Sequence, residues 1–374
     1  MRYPLLVKAA FLMVPLGLIS TVVLGCSVSS EEPSRPTREY STIIEGSPSA
    51  PPTTSGRTSE RTSEQCINRR FSSGTTTTDR PLALGAFVKG VEAEPGRIID
   101  QFTETVGQEP AAVMLYQNWE TNSAFDPDML DLVAERDATP IVTWAPRKPD
   151  SGRNQRTYSL QKIIRGRYDS YIRTWAQEAS VWDKPLYLRF AHEMNAAFYP
   201  WGVGVNGNTA ADYVAAWRHI HDIFEQEGAK NVRWVWSPLA DSPTSEDSLE
   251  QMYPGDDYVD WLALDGYNWG TEGPVLSEWR TVAEIFGPSY DKLVSISGKP
   301  VMIAEVATAE AGGSKADWIE EGLLEDVPSR LPQVRAILWF SSDKAMDWRI
   351  DSSPESLEAY SRVADSCLYR GRLP

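Results

Sequence analysis

The chain has 374 residues, 41% of them hydrophobic and 24% charged, which suits a globular protein with a sizeable core and excludes a fibre or a largely disordered polymer. With 36 Lys and Arg against 52 Asp and Glu, the formal charge of −16 would repel a phosphate backbone, so nucleic acid is excluded as a partner. Fourteen Trp is a large number for a residue that needs flat faces to pack against, and part of that excess suits a ligand surface.

In chain order, Arg2 and Lys8 precede an apolar run, Phe11 to Gly25, too short and too poorly flanked for a membrane span. This is the pattern of a secretory signal over residues 1–25. The run ends in Val23-Leu24-Gly25-Cys26, which resembles a bacterial lipobox and makes Cys26 the expected lipidation site. Residues 26–80 read as a tether: from Ser27 to Arg80 half of the chain is Ser, Thr and Pro, and Tyr40 and Phe71 are the only aromatics. Such a segment buries too little apolar area to offset its ordering entropy. The expected location is therefore the cell surface, held to the membrane by a lipid. If Cys26 is lipidated, Cys66 and Cys367 remain, and an oxidising exterior favours pairing them. Three His (His192, His219 and His221) with no clustered Cys give no zinc-site spacing, and no metal is expected.

From Leu82 onward, eight strand-length apolar runs recur: Leu82–Val88, Ala112–Trp119, Pro140–Trp144, Pro185–Phe190, Val232–Trp236, Val259–Leu264, Val301–Val306 and Val334–Phe340. They are too continuous for a sheet with one wet face. Between or after them lie helical patterns at Asp128–Ala134, Tyr168–Ala179, Ala210–Gln226, Leu276–Phe286, Ala316–Leu324 and Glu355–Cys367. Eight strands alternating with helices over residues 81–374 predict a (β/α)8 barrel, whose functional residues sit at the C-terminal ends of the strands. An open doubly wound sheet is disfavoured, because no Gly-rich phosphate loop follows the first strand.

Two of those strand ends carry glutamate. The fourth run leads into Ala191-His192-Glu193-Met194-Asn195, and Glu305 follows Val301-Met302-Ile303-Ala304 directly. A carboxylate placed after a buried run is costly unless paired, and an ion pair with Arg189 would account for either one alone. Two together suit glycosidic bond cleavage, where a neutral carboxylic acid protonates the leaving oxygen and an ionised partner attacks the anomeric carbon or activates water. That chemistry needs no metal or organic cofactor. Trp144, Trp201, Trp236, Trp269 and Trp339 stand at or just beyond strand ends, where indole faces could pack on sugars. For each Trp a core position is the competing reading. His219 and His221 are expected in surface or packing roles, and Asp265 and Asn268 either bond a turn or touch sugar.

The run from Leu188-Arg189-Phe190-Ala191-His192-Glu193-Met194-Asn195 to Phe198-Tyr199-Pro200-Trp201-Gly202 closely resembles the acid/base motif of glycoside hydrolase family 26. Ile164–Ile172, Asp260–Asn268 with its Asp265-Gly266-Tyr267-Asn268 end, and Ile303-Ala304-Glu305 resemble that family in the same order, from about Leu82 to Ser361. The resemblance implies a retaining enzyme with Glu193 as general acid/base and Glu305 as nucleophile. It further implies that Arg189 and His192 hold the sugar and the carboxylates, that Tyr267 donates to Glu305, and that Trp339 is the platform beneath the reacting sugar. Ala196 and Phe198 depart from the Gly and Trp usual at those positions, which touches substrate identity and leaves the chemistry alone. The expected activity is endo-cleavage of a β-linked polysaccharide by a monomer, with β-1,4-mannan, the commonest substrate of the resembled family, as the expected polymer. Mixed-linkage β-1,3-1,4-glucan and β-1,3-xylan are alternatives, and a non-catalytic glycan-binding barrel is the rival of another class.

Overall fold

A computed structural model describes residues 81–240, 242, 249–273 and 278–374. The expected signal over residues 1–25 and the expected tether over residues 26–80, with Cys26 and Cys66, lie outside the described residues, whereas Cys367 opens a short 3-10 turn, Cys367–Tyr369. Eight parallel strands close into a barrel in sequence order: β1 (Ala83–Val88), β2 (Ala112–Asn118), β3 (Thr139–Ala145), β4 (Leu186–Phe190), β5 (Val232–Trp236), β6 (Trp261–Asn268), β7 (Val301–Thr308) and β8 (Val334–Ser341). Strand β8 pairs with β1 from Ala83 opposite Ala336 to Val88 opposite Ser341, which leaves no open edge.

Around the barrel run α1 (Pro95–Val106), α2 (Pro127–Ala134), α3 (Leu160–Ile164), α4 (Asp169–Trp182), α5 (Ala210–Glu227), α6 (Leu249–Met252), α7 (Val282–Ile296), α8 (Lys315–Glu321), α9 (Val327–Arg330) and α10 (Pro354–Asp365). Their starts follow local chemistry. Thr209 caps α5 and Thr281 caps α7 through reciprocal capping boxes with Asp212 and Glu284, while Pro95 and Pro127 occupy first helical positions where the missing N–H is harmless. The helix expected over Leu276–Phe286 begins later than its apolar spacing suggests, because the capping box fixes its start at Thr281.

Strand alternation divides the core in two. Met114, Ile141, Tyr187, Trp261, Met302 and Leu338 fill the lumen, while the intervening residues face the helices. The C-terminus closes the lower end, where the Tyr187 hydroxyl donates to the Pro374 carbonyl at 3.0 Å. A packed lumen closed below leaves the upper rim as the open end, and β4, β6 and β7 deliver their polar residues there.

Candidate active site

One buried cation organises the rim. Arg189 lies on β4 one lumen step above Tyr187 and is 0% exposed. Its Nη1 donates to both oxygens of Asp265 on β6 at 2.7 and 2.6 Å, its Nε to Thr143 at 2.9 Å, and its Nη2 to Glu305. Burial works against that charge, but Asp265 and Glu305 outweigh it and hold the guanidinium well above its ordinary pKa.

Glu305 reaches the lumen through a break in the alternation. Ala304 already faces inward, so regular pleating would turn Glu305 toward the helices. Instead the pairing passes from Leu264 opposite Ile303 to Asp265 opposite Glu305, and on the other side from Ile303 opposite Ile337 to Val306 opposite Trp339. This bulge re-aims the side chain. Once inside, the carboxylate accepts from Arg189, from Tyr267, and from the Tyr116 hydroxyl at 2.5 Å. Three donors thus converge on one carboxylate.

Glu193 sits in a contrasting environment. Both Ala191 (φ +44°) and Glu193 (φ +52°) adopt left-handed backbone, which costs a non-glycine residue roughly 1–3 kcal/mol each. The geometry is held by hydrogen bonds to neighbouring strands: Ala191 N–H to Trp144 O at 3.2 Å, and Glu193 N–H to Ser237 O at 2.7 Å. Asn195 completes the staple by exchanging two 2.8 Å bonds with Leu239. No hydrogen bond reaches the Glu193 carboxyl among the described residues. Burial, then the negative charges of Asp265 and Glu305, raise its pKa well above the ordinary carboxylate range. One glutamate is thus met by three donors, and the other is kept as an acid.

His192 lies beside this pair, with Nε2 hydrogen-bonded to the Tyr199 hydroxyl at 3.1 Å. Burial and the charges of Arg189, Arg147 and Lys344 lower its pKa well below the usual value, so it stands neutral. Tyr199 stacks on Trp201 with ring centres 4.6 Å apart and planes 6° apart. Gly202 closes this segment where the backbone comes close: a Cβ there would meet the Ala196 carbonyl oxygen at 2.3 Å. We expect Gly202→Ala to cost about 1–3 kcal/mol in chemical denaturation and to lower activity by displacing the Glu193 segment. An unchanged midpoint would remove that close approach as the reason for glycine.

The structure gathers Arg189, Glu193, Glu305, His192 and Tyr267 in one place, leaves Phe198 55% exposed at the rim, and sets Trp269 half-buried beside Tyr267 at 6.0 Å between ring centres. Four tryptophans fall elsewhere. Trp339 is 0% exposed because it shares the outward parity of Ile337; it packs on Trp318 and Tyr360 and donates to the Trp348 carbonyl at 2.8 Å, so it offers no face to a sugar. Trp144 is buried and donates to Tyr171 at 3.0 Å, and Trp236 is buried against Tyr253. Trp201 is buried beneath Tyr199, with its indole N–H on the His192 carbonyl at 2.7 Å. Asp265 bonds neither a turn nor open space through its side chain, since Arg189 takes both oxygens. His221 packs on Trp234 and Tyr258, and His219 pairs with Asp169 at 2.7 Å.

Sequence reasoning missed Tyr116, Phe340 and Trp348. Tyr116 and Phe340 continue the inward parity of Met114 and Leu338, so counting in twos along β2 and β8 would have chosen them. Phe340 lies edge-on to Tyr267 at 5.8 Å. Trp348 comes from the loop after β8, packs on Tyr267 at 5.1 Å, and carries no periodic signal.

A closed eight-stranded barrel with one hydrogen-bonded and one desolvated glutamate at its upper rim defines the class of protein. The chain matches the family model described as glycosyl hydrolase family 26 over residues 155–322. It is 38% identical over 281 residues to Endoglucanase H of Acetivibrio thermocellus, covering 75% of this chain and 30% of that one. It is 33% identical over 106 residues to the beta-1,3-xylanase TXYA of a Vibrio species, covering 28% of this chain and 22% of that one. The chain therefore spans less than a third of the length of either relative. Among solved structures, the catalytic domain of an endo-beta-1,4-mannanase from Bacillus sp. JAMB-750 shares the fold with a TM-score of 0.58 at 17% identity, covering 78% of this chain and 87% of that one.

Proposed function

We propose that this protein is a retaining endo-β-glycanase in which Glu305 attacks the anomeric carbon and Glu193 protonates the departing oxygen. The observation that carries the reading is the contrast between the two carboxyls: Glu305 accepts from Arg189, Tyr116 and Tyr267, while Glu193 is desolvated beside two negative charges. Attack by Glu305 forms the glycosyl ester as the C–O bond to the leaving sugar breaks and the Glu193 proton moves to that oxygen. The ester neutralises Glu305, so one of the charges that kept Glu193 protonated is gone. Glu193, left ionised by giving up its proton, is stable as the anion once that charge is gone and takes a proton from the water that releases the sugar.

The sign of the pH dependence follows. Activity requires protonated Glu193, whose pKa is raised, so the alkaline fall of kcat/KM is expected as pH rises through the raised value, above the ordinary carboxylate range. In Glu193→Gln, with a substrate whose leaving group needs no proton, that alkaline limb is expected to disappear. An identical limb in the variant would assign it to another group.

Two backbones compete as substrate. The family's commonest association and the shared fold of the Bacillus mannanase support β-1,4-mannan. The 281-residue similarity to an endoglucanase, at higher identity and over nearly the length of the barrel, supports a β-glucan, and we give it the greater weight. On a panel of barley mixed-linkage glucan, locust-bean mannan and β-1,3-xylan, the expected result is fastest release of oligosaccharides from barley glucan. Preferential cleavage of mannan would reverse the choice of polymer. Binding without cleavage of any of them, by a correctly folded full chain, would replace the enzyme with a glycan-binding barrel. The signal-like leader and the lipobox-like Cys26 support action outside the cell from a lipid anchor, with a disulfide between Cys66 and Cys367 securing the entry to the barrel.

A further inference from the structure

Seven Lys and Arg fall between Arg147 and Arg167 with a single acidic residue, Asp150, in a chain whose net charge is −16. They occupy the loop after β3 and the short helix α3. Of these cations Lys148, Arg153, Arg156, Lys162, Arg165 and Arg167 are exposed. Among the described residues only Lys148 has a carboxylate partner, Glu120 at 3.7 Å. An ordinary solvated face mixes its signs, as this protein does elsewhere with Arg136 and Asp100, Arg173 and Glu227, or Arg362 and Glu320.

The stretch is also fixed in place beside the candidate active site. Arg153 Nη1 donates to the Ala197 carbonyl at 2.8 Å, and Asn206 donates back to the Arg153 carbonyl at 2.9 Å. The Gln155 side chain clips the loop by bonding Lys148 N–H at 2.8 Å and its carbonyl at 2.9 Å. Arg147 lies over the Tyr199 ring at 5.6 Å. These contacts place Arg147 and Arg153 against residues 196–200, just after Glu193, with the other cations on the same stretch of chain. The acid protonates the departing oxygen, so this segment borders the leaving-group half of a bound chain.

We propose that the cationic loop is a docking surface for carboxylate-bearing sugars on the leaving-group side of the cleft, so that the preferred polysaccharide carries acidic units there. This rests on the β-glycanase reading above. Guanidinium groups pair with carboxylates through two parallel hydrogen bonds. A negative surface elsewhere repels an anionic polymer and leaves this stretch as its point of approach.

The test measures binding of oligogalacturonate, an α-linked polyanion outside the proposed cleavage chemistry, to the full chain at low and at moderate salt. The expected result is salt-sensitive binding that weakens about tenfold in Arg153→Gln/Arg156→Gln/Lys162→Gln. It should persist in the charge-matched control Lys230→Gln/Arg233→Gln/Lys292→Gln. Equal weakening in the two variants, or no binding by the parent protein, would overturn the proposal. A second arm uses whichever neutral polymer is cleaved: its lightly carboxymethylated form should show a lower KM than the neutral form in the parent and lose that advantage in the loop variant. Binding as described with no cleavage of any neutral β-glycan would sink the enzyme reading and leave the anion surface standing. Cleavage without loop-dependent binding would do the reverse.

Discussion

Replacing Glu305 with alanine is expected to lower kcat by roughly four orders of magnitude, about 5 kcal/mol of barrier, on whichever polysaccharide the parent protein cleaves. In the proposed double displacement the glycosyl group passes to Glu305, and none of the groups touching it, Arg189, Tyr116 and Tyr267, can take over the attack. The fold should survive. Glu305 is a buried carboxylate whose removal leaves Arg189 still paired through two bonds with Asp265. A small nucleophile such as azide is expected to recover part of the rate by entering the space left by the carboxylate. Loss of activity together with loss of the folded spectrum would show only a structural role, whereas a fully active variant would end the nucleophile assignment.

Arg189→Met should act the other way round, striking stability as hard as activity. The guanidinium is fully buried and is the cation paired with both Asp265 and Glu305. Methionine replaces the apolar stem but not the guanidinium, and leaves two carboxylates facing each other without their counter-charge. Stranding buried charge in this way costs about 3–5 kcal/mol, which urea denaturation at neutral pH would register as a large fall in midpoint. The sign can be checked from the other side. In this variant the two carboxyls are expected to rise in pKa, so part of the lost stability should return as pH falls and one of them takes a proton. A variant as stable as the parent across pH would mean that the ion triad contributes nothing net to the fold.

Much of this arrangement is legible in the sequence because buried parallel strands and acidic strand ends are strong signals. The eight apolar runs coincide with β1 to β8 to within a few residues, except that β6 and β7 extend further, to Asn268 and Thr308. Those extensions are polar because the strands continue into the mouth of the barrel, where Asp265 and Tyr267 turn inward and periodic hydrophobicity no longer marks them. Helix α1 was readable and passed over: Pro95 starts it, Ile99, Phe102 and Val106 give its buried stripe, and Gly107 ends it in left-handed backbone. Trp339 illustrates a different failure. Aromatic character at a strand end suggested a sugar platform, but parity decides which way a strand residue points, and parity gives the mouth to Phe340. The bulge that turns Glu305 inward runs against parity and could be inferred only from the chemistry expected of the residue, not from the spacing of its neighbours. The Arg189 triad joins three strands far apart in sequence, and neither periodicity nor composition specifies such a contact.

The most direct test of two glutamates working by double displacement is the configuration of the first product. Proton NMR of the intact protein acting on the polymer it cleaves fastest reports the anomeric signal of the new reducing end before mutarotation scrambles it. The account predicts that the β-anomer appears first and the α-anomer only later, because attack by Glu305 and then by water inverts the centre twice. Early appearance of the α-anomer would mean a single displacement by water, and Glu305 would then be a base and not the nucleophile.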